Sequence, residues 1–198
     1  YHHSMVVGSL AEAAAEAIGA NSLLARVSAY YHDIGKLAKP EYYAENEPAS
    51  TRSLHEKLTP SMSALVVKSH VVEGLELARR QRLPRAVRDA IPEHHGTMVM
   101  AFFFHKALEL DEHTRREDFC YPGPRPRSKE TAILMLADGV EGASRALAEP
   151  TPSRIRGLVQ RLIDERVRDG QLDDCDLTLQ DLARIREAFI PVLTGIFH

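Results

Sequence analysis

Tyr30-Tyr31-His32-Asp33-Ile34-Gly35-Lys36 closes a run in which Leu23, Leu24 and Val27 recur at helical spacing. An imidazole and a carboxylate stand side by side where such a helix should be entering a core. Burying either without a partner costs several kcal/mol. A divalent cation would compensate both at once, because a neutral imidazole supplies one nitrogen and a carboxylate carries two oxygens, so Asp33 could bridge two ions. Gly35 then reads as the cap that ends the helix. Lys36 reads as an ammonium within reach of an anion, or as an ordinary solvated lysine. One such dipeptide says little, and the other histidines decide its meaning.

The totals bound the answer. A chain of 198 residues with 44% hydrophobic content can bury one good core, so one domain over 1–198 is expected. Its net charge of -3 and pI near 6.4 give no general basic field for a nucleic acid polymer. A phosphate-bearing ligand would need a local source of positive charge, such as bound cations. Cys120 and Cys175 lack CxxC spacing and suggest reduced thiols rather than a disulfide framework. No apolar run is long enough to span a bilayer, and the N-terminus does not resemble a signal peptide. The opening Tyr1-His2-His3 reads as a segment cut from something longer, or as the remnant of an affinity tag.

Along the chain the apolar spacing is helical. Val7, Leu10, Ala14 and Ile18 mark a first helix stopped by Gly19, and Asn21 is an N-cap for a second. Residues 39–53 read as a polar loop beside the His-Asp pair and a candidate to touch substrate. Thr59-Pro60 opens a helix through His70, with a continuation or break before Val71. Pro84 to His95 is a short helix closed by Gly96. Thr97 to Leu110 is apolar almost all round and is expected to be central. Residues 111–128, with Tyr121-Pro122-Gly123-Pro124, suggest a functional loop or lid. Ser128 caps a helix to Ala148 that carries Asp138 in its middle, and Thr151-Pro152 and Thr178 open two more. Period-2 alternation is absent. An all-α bundle of seven to nine helices is expected, with a metal-site core of about 1–147 and C-terminal helices in 151–198.

Five of the ten histidines, His3, His32, His70, His94 and His95, stand where apolar helices begin or end. His94 and His95 would point about 100° apart on a regular helix, but at a helix end beside Gly96 they can converge. Asp138 lies between Leu136 and Val140, and a mid-helix carboxylate there is seldom left bare. The order H…HD…H…HH…D resembles the HD-domain metal-dependent phosphohydrolases. More narrowly, the chain is similar to the HD domain of the seven-transmembrane HD receptor family, the PgpH-type cyclic di-AMP phosphodiesterases. That resemblance rests on Tyr-His-His-Ser-Met, Ala-Tyr-Tyr-His-Asp-Ile-Gly-Lys, Glu45-Asn46, Leu-Thr-Pro-Ser, His-His-Gly-Thr, Tyr-Pro-Gly-Pro and Ser-Lys-Glu-Thr-Ala, and it runs to about residue 147.

The resemblance implies an enzyme with two ions: His3, His32, Asp33 and Asp138 on one, and Asp33, His70, His94 and His95 on the other. It implies iron or manganese, a hydroxide bridging the ions as nucleophile, and hydrolysis of cyclic di-AMP to linear pApA. Asp33 and Lys36 are the candidate catalytic residues, Lys36 for a non-bridging phosphate oxygen. Metal binding can lower the pKa of water from 15.7 to about 7, which outweighs a side-chain base worth 10²- to 10⁴-fold, so no dedicated base is expected. Asn46, Thr97, Lys106, Arg125 and Lys129 are candidate substrate contacts, although Lys106 could equally lie on the surface and Arg125 to Lys129 could form a solvated turn. The departure at Glu47, where the family reads Gln, puts the role of that position in doubt. Alternatives are another HD phosphohydrolase, acting on cyclic di-GMP or a mononucleotide, and a non-catalytic nucleotide-sensing module. The paired histidines lead into Met98–Phe104 without a Gly-Tyr-Pro, which argues against the cyclic di-GMP branch. The kinship also implies a cytoplasmic domain of an integral membrane protein, anchored only through an upstream segment, and a homodimer is a further expectation.

Overall fold

The computed structural model of the chain describes residues 1–43 and 54–196. Among them are eight α-helices: α1 (His2–Ile18), α2 (Ser22–Tyr31), α3 (Pro60–Arg80), α4 (Arg85–Glu93), α5 (Ala101–Leu110), α6 (Lys129–Ser144), α7 (Pro152–Arg168) and α8 (Leu179–Ile196). Strand pairing among them is limited to one antiparallel bridge between Val99 and Cys120. The expected all-α bundle is therefore what forms. The starts of α2, α3 and α6 follow side chains that accept from free first-turn N–H groups. Asn21 accepts from Leu24 N at 3.0 Å, Thr59 from Met62 N at 3.3 Å ahead of Pro60, and Ser128 and Thr131 form a reciprocal capping box.

The buried centre is α6. Residues 132–137 are each at most 1% exposed, because alanine and aliphatic side chains surround the helix and leave it no polar face. Val7, Leu10 and Ala14 of α1 pack against it, and Ile155, Val159 and Leu162 of α7 with Ile185, Phe189 and Leu193 of α8 complete one continuous cluster. A fully buried Leu or Ile contributes about 1.5–3 kcal/mol. Several of them in one helix offset the cost of a carboxylate in the same helix, at Asp138.

Two sequence expectations are corrected here. The Thr97–Leu110 run is peripheral: α5 buries only Ala107, and Phe102 and Leu110 are 64% and 77% exposed. His105, Lys106 and Glu109 interrupt its apolar surface, so it leans on α3 through a second, small cluster of Ala64, Met100, Ala107 and Phe119. Gly35 is not a cap. α2 ends at Tyr31, His32 keeps a right-handed backbone, and Ile34–Ala38 forms a 3₁₀ helix laid against α3, itself unbroken through Val71. A Cβ on Gly35 would overlap the carbonyl oxygen of His70 and lie 2.5 Å from Gly74 N. Close approach of two backbones is what requires glycine here, and that approach brings Asp33 up to His70.

Candidate metal centre

Five segments deliver the seven side chains. His3 comes from the first turn of α1, His32 and Asp33 from the end of α2, His70 from the middle of α3, His94 and His95 from the turn after α4, and Asp138 from α6. His94 and His95 converge because the helix stops at Glu93 and Gly96 turns the chain at φ 53. Their ring centroids lie 3.8 Å apart. One ligand atom from each of Asp33, His70, His94 and His95 lies within 4.8 Å of the others, and the same holds for His3, His32 and Asp138.

Asp33 joins the two groups. Its Oδ2 is 3.1 Å from His32 Nε2 and 3.6 Å from His3 Nε2, while Oδ1 is 3.5 Å from His70 Nε2 and 3.7 Å from His94 Nε2. Three of the imidazoles have their tautomer fixed by their own helix. Nδ1–H of His32, His70 and His94 donates to the carbonyl three residues earlier, Ala29, Val67 and Ile91, at 2.7, 2.5 and 2.6 Å. Each therefore turns its Nε2 inward, as a free lone pair in neutral His70 and His94 and as one that His32 offers once its Nε2 proton leaves, the arrangement that orients metal-ligating histidines. Asp33 Oδ1, His70 Nε2 and His94 Nε2 are buried without a hydrogen-bond partner. Three acceptors facing one another out of water repel unless a cation lies among them, so these residues fit a divalent ion.

The two groups differ in charge. Burial opposes the imidazolium of His3, but hydrogen bonds to Asp138 and Glu141 outweigh it and raise the pKa to about 9. Burial likewise opposes His32, and the charge of Asp33 with a bond to Asp138 lifts it to about 10. Burial pushes His94 down to about 3, with His32 adding to the effect, and His95 is held well below its ordinary value by burial and by His94. The carboxyls of Asp33 and Asp138 stay well below the usual range, because the neighbouring histidines outweigh their burial.

In the metal-free protein the protons on His3 and His32 stabilise the fold fully below pH 6.5, and that contribution fades as pH rises through 9 to 10. The depressed His94 acts in the opposite sense, contributing above 6.5 and losing its effect as pH falls toward 3. A cation entering beside Asp138 must displace the protons of His3 and His32, so affinity there rises with pH through neutrality. Calorimetric titration with Mn²⁺ at pH 7.5, in buffers of different ionisation enthalpy, is expected to read release of about one to two protons per chain. Heats independent of the buffer would mean that both imidazoles were already neutral.

Several supporting residues were not legible in the sequence. Glu141, one turn beyond Asp138, takes the other nitrogen of His3: Oε2 lies 2.6 Å from Nδ1, while Asp138 Oδ1 lies 3.2 Å from Nε2. Arg145 holds Glu141 through Nε and Nη2 at 3.1 and 2.7 Å. Glu141→Gln is expected to weaken cation binding by about 10–100-fold, the usual cost of losing a carboxylate behind a histidine ligand, as measured by competition with a metal chelator. Glu93, 2% exposed, accepts from Arg127 N, from the Arg127 guanidinium and from Thr131 Oγ1, which fixes the turn carrying His94. Tyr121 stacks on His95 at 4.0 Å between centroids. Tyr121 is itself pinned by N–H donation to Met98 O at 2.9 Å, so this end of the expected lid is fixed.

The candidate substrate contacts scatter. Lys36 stands at the site, with Nζ 2.6 Å from Asp33 Oδ2. Thr97 is exposed, and its N–H donates to Gln171 Oε1 at 3.0 Å. Lys106 lies over the Phe102 ring at 4.5 Å and lines a cavity of about 500 Å³ with His55, Leu58, Ser63 and Phe103. Arg125 is engaged by Asp174 at 3.0 and 3.1 Å and by Gly170 O at 2.8 Å, and Lys129 by Asp181 at 3.2 Å. These carboxylates tie Arg125 to the segment between α7 and α8, and Lys129, at the start of α6, to the first turn of α8. Asn46 lies outside the described residues.

Residues 1–143 match the family model for the HD domain. The whole chain is 45% identical to the cyclic-di-AMP phosphodiesterase PgpH of Bacillus subtilis (strain 168), of which it spans 28%. Over 189 residues, 90% of this chain, it is 36% identical to ribonuclease Y of Acholeplasma laidlawii (strain PG-8A), of which it covers 30%. The crystal structure of the Listeria monocytogenes PgpH HD domain in complex with cyclic-di-AMP superposes with a TM-score of 0.96 at 42% identity, covering 99% of this chain and 91% of that one.

Proposed function

For this chain, which belongs to the HD-domain family, we propose a metal-dependent phosphodiesterase activity that opens cyclic di-AMP to linear pApA. The observation that carries this reading is Asp33, one carboxylate with an oxygen toward each of two imidazole groups. Asp33, His70, His94 and His95 would hold one divalent ion, and Asp33, His3, His32 and Asp138 the other. A set of imidazoles and carboxylates without thiolate suits iron or manganese. Bound there, two such ions supply positive charge toward a phosphate and a source of nucleophilic water at neutral pH.

The chain's own residues do the rest. Asp33 keeps the two groups in register. Lys36, at the Oδ2 edge of Asp33, carries the ammonium that would hold a non-bridging phosphate oxygen as charge develops. Tyr121 and Glu93 keep His95 and His94 from swinging away. The substrate identity is supported by the Listeria domain, whose structure contains cyclic-di-AMP. We further propose that the chain works as the cytoplasmic part of a longer membrane protein. It spans 28% and 27% of its two PgpH relatives, and none of its described helices is long and apolar enough to cross a membrane.

The test is hydrolysis by protein loaded with Fe²⁺ or Mn²⁺, against the same protein after chelation. Cyclic di-AMP, cyclic di-GMP, AMP and a short single-stranded RNA would be offered at equal concentration. The expected result is pApA from cyclic di-AMP at the highest kcat/KM, lost on chelation and restored by metal. Faster turnover of the RNA or of AMP would overturn the reading.

A further inference from the structure

α7 lies along α6 with Leu162 over Gly139: a Cβ at Gly139 would sit 3.2 Å from Leu162 Cδ1. One turn later on the same face of α7 comes Arg166, and that Cβ would lie 3.6 Å from its Nη2. The guanidinium therefore rests beside the residue that follows Asp138, at van der Waals distance from where a side chain at position 139 would begin. Arg166 is only partly exposed, and its Nε is buried without a hydrogen-bond partner. Lys36, Arg127 and Arg145 each close on a carboxylate, whereas no carboxylate among the described residues lies within ion-pair distance of Arg166. Burial lowers its pKa, and Glu165, Asp169 and Asp138 oppose this from further away.

A partly buried cation without a counter-ion is costly in a folded protein. A planar fork of N–H donors matches the oxygens of a phosphate. We infer that Arg166 binds a phosphate oxygen of the dinucleotide on the Asp138 side of the centre. The inference rests on the function proposed above and deepens it, because it draws the C-terminal helices into substrate binding. The counter-charge that Arg166 lacks in the free protein is then supplied by the substrate.

Arg166→Met and Arg166→Lys would be compared with wild type in metal-loaded protein. Arg166→Met is expected to raise KM for cyclic di-AMP by roughly 10–100-fold, the effect of losing a charge-assisted hydrogen bond, with a smaller change in kcat and no change in metal content. Arg166→Lys should recover part of the loss. Without nucleotide, the thermal midpoint of Arg166→Met should equal or exceed that of wild type, since the change removes an unpaired buried charge. An unchanged KM would overturn the inference, as would a lowered midpoint with no recovery by lysine, which would make Arg166 a structural residue. If wild type turns over no cyclic dinucleotide, the function proposal fails by itself, and calorimetric binding of inorganic phosphate to the metal-loaded proteins still decides the role of Arg166. Roughly tenfold weaker binding by Arg166→Met would support it, and equal affinity would overturn it.

Discussion

Asp33→Asn should lose hydrolysis by on the order of 10³-fold or more while remaining folded. The direct interaction of a phosphate with metal ions is worth several kcal/mol in the transition state, and each 1.36 kcal/mol is a factor of ten in rate. The amide cannot offer an anionic oxygen to both groups. On one side, His70 and His94 keep their inward lone pairs but lose the one carboxylate that, among the described residues, lies within ion-pair distance of them. On the other side, Asp138 still faces His3 and His32. The two sites should therefore fail unequally. Metal analysis is expected to find about one ion per chain or fewer, held on the Asp138 side. Lys36 would also lose the partner that lies 2.6 Å from its ammonium. A variant that keeps two ions and a rate within tenfold of wild type would mean that Asp33 does not bridge, and the two-ion reading would go with it.

The same contrast explains what could be read from sequence. The seven candidate ligands stood out because histidine and aspartate are poorly compensated at the ends and centre of apolar helices, a cost visible without coordinates. Glu141, Arg145 and Arg166 did not stand out. Charged residues three or four apart in a helix are ordinarily a solvated ladder, and nothing in the residue string tells the face of α6 or α7 that turns inward. Glu93 was hidden for a related reason: its partners Arg127 and Thr131 lie 34 and 38 residues away. The same blindness reversed the roles of α5 and α6. Three phenylalanines in α5 suggested the centre, yet the centre went to the helix whose small and aliphatic side chains let neighbours approach from every direction. Arg125 and Lys129 are candidate anion contacts because they flank a proline-rich loop leading into a helix N-terminus, and in the fold they lie against Asp174 and Asp181, which no local spacing announces.

Gly35→Ala should show how much of the site depends on one missing methyl group. The new Cβ would overlap the carbonyl oxygen of His70 and crowd Gly74 N, and both neighbours are backbone of α3, which cannot rotate aside as a side chain would. The 3₁₀ segment must move away from α3, at a cost of about 1–3 kcal/mol in stability, or a few degrees per kcal/mol in thermal midpoint for a chain of this size. The larger consequence falls on Asp33, which directly precedes this segment. Its Oδ1 would retreat from His70 and His94, now at 3.5 and 3.7 Å, while His32, His3 and Asp138 are anchored on other elements. A misplacement of about 1 Å costs on the order of 10²-fold in rate, so activity should fall by that factor or more, with one ion retained and the other weakened. Gly142→Ala is the control. It lies exposed in α6 with nothing within 4 Å of an added Cβ, so the substitution should stabilise the helix by up to about 1 kcal/mol and leave both ions in place. If Gly35→Ala instead binds two ions and turns over at the wild-type rate, the contact between residue 35 and α3 does not set the distance from Asp33 to His70.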